Sequence, residues 1–292
     1  MEAVMTPDRA ASAPVGPDPL GPDPLARALH HGTRLIVLSP HLDDAVLSCG
    51  ALLLRACRTA EVTVATFFTE AGPPPHTLSA RRYLRQVGDG DAARLYAARR
   101  AEDIRVMNWL AADWRHLGLP EGLFRRRAAT TPARRRLQRA LPELGHVYPT
   151  YRLHLAAGRI ADRDEAALSE ATAAVARLAA QGPALFLAPL GVGGHADHLI
   201  VRQAAAAAAG RVVYYSDFPY NLAQPADAAF VRTHHLRPCE PVPTAQPKAA
   251  LIRGYRSQVD ALFPDGRIPE APELYLHPAP AFTGRLIGGG VR

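Results

Sequence analysis

Lysine is almost missing from this 292-residue chain. Lys248 stands alone, although Lys and Arg together number 34 against 27 Asp and Glu, for a formal charge of +7. The positive charge is therefore arginine, spread through an alanine-rich sequence rather than gathered into a basic nucleic-acid-binding arm. Only Arg125–Arg127 and Arg134–Arg136 are dense. They are expected to form a solvated face, and nucleic acid is not expected as a partner; binding through them would show as a steep salt dependence. Cysteine is scarce too. Cys49, Cys57 and Cys239 are odd in number and form no Cys-x-x-Cys pair, which excludes a disulfide framework and suits a reducing cytoplasm. No apolar run approaches the ~20 residues that cross a bilayer. The start lacks a basic segment followed by an apolar one, so neither a secretory signal nor a membrane association is expected.

The opening of the chain is rich in Pro, Ala and Asp and repeats GPDPL at 16–20 and 21–25. It offers too little apolar surface to offset the entropy of ordering. Residues 1–30 are accordingly expected to be a disordered tail ahead of one domain over 31–292. From Arg34 onward, strand and helix signals alternate. Strands are expected at 35–38, 61–70, 184–190 and 211–218, and helices at 45–57, 89–110, 162–182 and from His195 to Gly210. Residues 71–92 and 112–160 are difficult to assign and are expected to supply rim loops. The β-α-β-α order predicts an α/β fold: a single Rossmann-like domain, its sheet mostly parallel, with helices on both faces. Such sheets bind ligands beyond the carboxyl ends of their strands.

Two of those strand ends carry chemistry. Leu35–Leu38 runs through Ser39-Pro40 into His41, Asp43 and Asp44, and a second strand end leads through GVGG into His195-Ala-Asp197-His198. His41 and Asp44, three apart across a strand-to-helix turn, can aim at one point and are good zinc donors. Asp43 need not bind metal and could face the same cavity. Equally, Asp43 or Asp44 could simply cap the following helix. His195 and His198 project from neighbouring positions of one helical face, and Asp197 could be no more than a first-turn acid. Together the two segments are more specific than either alone. Three ligands with an open fourth position describe a catalytic metal site. A carboxylate beside such a metal can move a proton from water to a leaving amine, and a second imidazole can stabilise an oxyanion. These are the requirements of amide hydrolysis.

The stretch SPHLDDAVLSCGALL followed by HADH resembles the zinc-dependent N-deacetylases of the LmbE-like, or PIG-L, superfamily. That resemblance implies a Rossmann-like fold and a Zn2+ ion, with Fe2+ or Co2+ as substitutes, held by His41, Asp44 and His198. It makes Asp43 the general base and then acid, and His195 the group stabilising the tetrahedral intermediate. Asp197 would lie behind these, holding His195 in orientation. Weaker similarity at RRAED, YYSDFPY and KAALIRGYRSQ extends it over residues 33–265 and offers Arg99, Asp217 and Tyr220 as contacts to substrate. The chain departs from many members in having Ala45 where they carry Glu after the two aspartates. The implied substrate is a small N-acylated molecule, such as an amino-sugar metabolite or natural-product intermediate.

Three rivals remain open at this level. A non-haem Fe(II) oxygenase could use His41-x-Asp43 and a distant His, but would need them on the strands of an all-β barrel. A non-catalytic binding module could hold a phosphate on GVGG, which lacks the G-x-G-x-x-G spacing. Nucleic-acid binding would rest on the arginine clusters. The sequence carries no signal of oligomeric state.

Overall fold

The computed structural model describes residues 23–243 and 245–279. Its strands are β1 Leu35–Ser39, β2 Val62–Glu70, β3 Asp113–Pro120, β4 Leu185–Pro189, β5 Val212–Tyr215, β6 Leu236–Pro238 and β7 Tyr275–Pro278. The helices are α1 Pro24–His30, α2 Asp44–Ala56, α3 Leu78–Gln86, α4 Ala92–Leu110, α5 Pro132–Ala140 and α6 Pro142–Gly145. They continue as α7 Glu165–Ala179, α8 Ala196–Ala204, α9 Ala228–Thr233, α10 Gln246–Ile252 and α11 Arg256–Leu262. One sheet contains all seven strands in the order β3-β2-β1-β4-β5-β7-β6. Strands β1 to β5 run parallel, whereas β7 is antiparallel to both β5 and β6.

β1 lies at the centre and is buried along its whole length. Successive side chains of a strand point to opposite faces, so a strand covered on both sides reads as a continuous apolar run. Leu35 and Val37 accordingly join the cluster formed with α2, α10 and the end of α4, while Ile36 and Leu38 join that formed with α7 and α8. Helices thus cover both faces, as expected. The chain leaves β1 towards β2 on one side and reaches β4 on the other, so the crevice beyond β1 and β4 is the switch point of the sheet.

Several expectations need correction. The tail does not extend to residue 30. The Asp23 carboxylate accepts the Leu25 and Ala26 N–H groups, Pro24 opens the helix, and Leu25, Ala28 and Leu29 are buried in the core. Residues 1–22, including the first GPDPL copy, lie outside the described residues. The 71–92 segment contains α3, capped by Thr77, whose hydroxyl accepts from Ala80 N–H. The 112–160 segment begins with β3, an edge strand whose first residues are exposed and therefore show no apolar run. The KAALIRGYRSQ stretch, which the resemblance reads as a C-terminal helix, is divided between α10 and α11. At the break, a Cβ on Gly254 would lie 2.6 Å from Val106 Cγ2, so α4 packs where a side chain would be.

α2 has two beginnings. Its path kinks at Cys49 (φ −126°, ψ 15°), and the N–H groups of Ala51 and Leu52 donate to Glu273 Oε1 and Oε2 at 2.7 and 2.9 Å. Lys248 Nζ lies 2.7 Å from Glu273 Oε1, with both side chains buried. The chain's one lysine is an interior residue. Among the described residues no helix is long and apolar enough to cross a membrane.

Candidate metal centre and active site

The turn from β1 into α2 settles who caps the helix. Ser39 Oγ donates to the His41 carbonyl at 2.6 Å and accepts the Ala45 N–H at 3.0 Å. Asp43 occupies the cap position without a side-chain cap bond. Asp44 turns back instead. Its Oδ2 accepts the His41 backbone N–H at 2.9 Å and lies 3.0 Å from His41 Nδ1 and 3.3 Å from His198 Nε2. Ala45, the departure from the resembling family, is buried in the core beneath α2.

Each of these imidazoles is held from behind. His41 Nε2 lies 3.1 Å from Asp197 Oδ2, and His198 Nδ1 lies 2.7 Å from Asp217 Oδ1. The carboxylates are anchored in turn. Asp197 accepts the Gly122 N–H at 2.8 Å and Arg125 at 2.6 Å, while Asp217 accepts the Val192 N–H at 2.8 Å. A carboxylate on the outer nitrogen fixes the ring and its tautomer and raises the basicity of the inner nitrogen, the usual setting of a metal-ligating histidine.

His195 differs. Its Nδ1 accepts the Asp197 backbone N–H at 3.2 Å, which assigns the ring proton to Nε2. Burial, reinforced by the neighbouring imidazoles against the pull of Asp197, lowers its pKa to about 3, so the ring is a neutral hydrogen-bond donor. Ligand atoms of His41, His195 and His198 lie within 4.8 Å of one another, so His195 also borders the centre.

The donor set fits a divalent ion. With bonds of ~2.0–2.2 Å, tetrahedral ligand atoms stand about 3.3–3.6 Å apart. The 3.0 and 3.3 Å separations around Asp44 Oδ2 are close to this. The local charge points the same way. Burial alone would lower the pKa of His198, but Asp44 and Asp217 raise it to about 10. His41 is likewise raised, Glu121 and Asp44 outweighing burial. The carboxylates thus call for positive charge at this point, which a cation supplies more compactly than two protons.

Asp43 faces the adjoining cavity of about 790 Å³. Burial raises its pKa to about 6, Arg99 opposing and Asp44 adding to the rise. Arg99 lies 3.5 Å from Asp43 Oδ1 and 3.0 Å from Glu121 Oε2, and Glu121 also accepts the Tyr96 hydroxyl. Beyond this group the cavity is walled by Arg82 and Tyr83 of α3, Leu123, Thr150 to Leu153 at the π-helical turn Tyr151–Leu155, Tyr220 and Gln258 of α11.

The sequence-named residues therefore converge, but with some parts redistributed. Asp197 directs its carboxylate to His41 and only its backbone N–H to His195. Asp217, offered as a substrate contact, is buried and holds His198. Arg99 does line the cavity, though its guanidinium is engaged by Asp43 and Glu121, and Tyr220 lines it beside His198. Arg125, expected on a solvated face, is buried between Asp164 and Asp197. Glu121, Tyr83 and the 150–155 segment were not singled out, because they lie outside any local motif. The GVGG loop offers no cradle: a Cβ on Gly193 would meet the Tyr220 ring at 3.0 Å, and one on Gly194 the Gly158 backbone at 2.8 Å. Nor do the ligands sit on an all-β barrel, as the oxygenase rival requires.

The family model for PIG-L, described as GlcNAc-PI de-N-acetylase, matches residues 36–209, a span from β1 through α8 that includes both histidine segments. The chain belongs to the PIG-L family. Within it, this chain is 32% identical over 201 residues to a 2'-N-acetylparomamine deacetylase of Streptomyces fradiae, a match covering 67% of this chain. The match spans 60% of that relative's length. Among solved structures, the zinc inhibited form of teicoplanin deacetylase Orf2 shares the PIG-L fold of this chain with a TM-score of 0.63 at 23% identity, covering 84% of this chain and 97% of that one. The A40926 pseudoaglycone deacetylase Dbv21 has a TM-score of 0.58 at 23% identity, covering 85% and 97%.

Proposed function

We propose that this PIG-L family member is a metal-dependent N-deacetylase that releases acetate from an acetylated amino-sugar unit of a small metabolite or natural-product intermediate. The observation that carries the reading is the placement of Asp44 Oδ2 against the inner nitrogens of His41 and His198, with Asp43 free of capping duty beside them. The relative that deacetylates 2'-N-acetylparomamine supports the substrate class, as does a cavity of about 790 Å³, large enough for a sugar and part of its aglycone. The three cysteines are unpaired, in keeping with a reducing, cytoplasmic setting.

His41, Asp44 and His198 would hold the ion, most simply zinc. When bound, it supplies Lewis acidity at an amide carbonyl and lowers the pKa of water towards neutrality. Asp43 then takes a proton from the attacking water and returns it to the departing amine, and its ion pair with Arg99 keeps the carboxylate facing the cavity. His195 donates from Nε2–H to the carbonyl oxygen as negative charge develops there. This role fits the tautomer better than ligation by His195 does, since a ligating Nε2 would require the proton on Nδ1, opposite the Asp197 N–H.

The test is metal content together with acetate release from a panel of N-acetylated amino sugars, comparing wild type with His198→Ala and Asp43→Asn. One metal per chain is expected in wild type and in Asp43→Asn, and none in His198→Ala. Turnover should fall by about 10²–10⁴ in Asp43→Asn. Wild type that cannot be loaded with metal would refute the hydrolase reading.

A further inference from the structure

A second cavity, of about 230 Å³, lies on the other side of the 150–155 segment from the catalytic one. Thr150 to Leu153 wall the catalytic cavity, whereas His154 faces the second, and the Thr150 hydroxyl meets His154 Nδ1 at 2.8 Å between them. Arg127, Arg159 and Arg163 line this second cavity with Tyr148 and a single acid, Asp162. Three guanidiniums against one carboxylate leave a surplus of positive charge.

Neighbouring arginines show what compensation looks like in this protein. Arg125 is closed between Asp164 and Asp197, and Arg99 between Asp43 and Glu121. Arg127, Arg159 and Arg163 have no ion-pair partner among the described residues. Arg127 is held in place by its backbone N–H, which donates to the Gly145 carbonyl at 2.8 Å. Its Nε is shielded from solvent and has no hydrogen-bond partner among the described residues. Burial, followed by the charges of Arg163 and Arg134, lowers the Arg127 pKa. Arg127 is half-buried and Arg159 and Arg163 are exposed, a setting open to an acceptor-rich anion, for which forked guanidiniums are well shaped.

We propose that this cavity is a binding site for a phosphate-class oxyanion, held by Arg127, Arg159 and Arg163. Its volume suits a tetrahedral anion with its waters or a small phosphomonoester, and it excludes a polymer from lying within it. The site does not depend on the deacetylase reading, because none of its lining residues lines the catalytic cavity.

The experiment is calorimetric titration of the metal-loaded, full-length protein with inorganic phosphate, and separately with glucose 6-phosphate, in buffer of constant ionic strength. Saturable binding is expected, weakened about tenfold or more in Arg127→Gln/Arg163→Gln and in the exposed single variant Arg159→Gln. Asp162→Asn should bind more tightly. Tighter binding of the ester than of inorganic phosphate would support a phosphomonoester ligand, and the reverse order would support the free anion. A thermal melt without phosphate controls for folding. Absence of saturable binding by both probes, or binding unchanged in properly folded variants, would overturn the proposal.

Discussion

Asp217→Asn separates two readings of one residue. On the substrate rim, Asp217 would set KM; as the support of His198, it sets metal affinity. Its carboxylate accepts from two fixed groups, the Val192 N–H at 2.8 Å and His198 Nδ1 at 2.7 Å. With Nε2 turned to an ion, His198 carries its proton on Nδ1 and must donate. Asparagine has one acceptor oxygen, so its NH2 group is forced against one of these two donors. A buried donor left without a partner costs about 1–3 kcal/mol, and lost support of a ligating histidine lowers metal affinity by about 10–100-fold. Zinc affinity measured by chelator competition should fall in that range. At saturating metal, KM for an acetylated substrate should stay within about twofold, since the residue is buried behind His198 and does not line the cavity. Unchanged zinc affinity with a raised KM would refute the reasoning and return Asp217 to the rim.

His195→Ala should retain its metal and lose about 10²–10³ in kcat, as removal of an oxyanion donor does; loss of metal would instead make His195 a ligand. Arg125→Gln leaves Asp164 and Asp197 buried without their cation, so it should weaken metal binding about tenfold through His41. A change confined to KM would overturn that route. Lys248→Met leaves the Glu273 carboxylate buried and unpaired, a loss of about 3–5 kcal/mol. A thermal melt should show a midpoint lower by about 10 °C, and a shift under about 2 °C would mean that Glu273 is adequately held by Tyr275 and the α2 backbone.

The parts of this molecule that could be read from the sequence are those whose cause is local. β1 is an unbroken apolar run because it is covered on both faces, and His41, Asp43, Asp44, His195 and His198 sit in two short strings at the ends of the central strands. β3 was hidden by its place at the sheet edge, where exposed residues follow no apolar pattern. α1 was masked by the proline-rich composition around it, although three apolar side chains suffice to seat it on the core. The partners of Asp197, Asp217 and Arg125 were out of reach for another reason. A carboxylate or guanidinium takes its part from the group the fold packs against it, 19 to 156 residues away here, and no spacing rule reaches that far.

The two supported histidines differ in what their alignment depends on. His198 relies on Asp217, from the strand end beside its own, and on the Val192 N–H that leads into its helix, so its support belongs to the sheet. His41 relies on Asp197, which is fixed by Gly122 and Arg125 from the segment after β3. That same segment supplies Glu121 and Leu123 to the cavity wall, and through Asp164 the Arg125 guanidinium also meets the Tyr148 hydroxyl at the base of the 150–155 turn. The wall that meets the substrate and the brace behind His41 are therefore one piece of structure. Changes in residues 121–155 that reshape the cavity will also move the support of His41, whereas the Asp217 carboxylate behind His198 is held by the Val192 N–H, outside that segment. A coupling of this kind makes specificity and metal affinity vary together through His41.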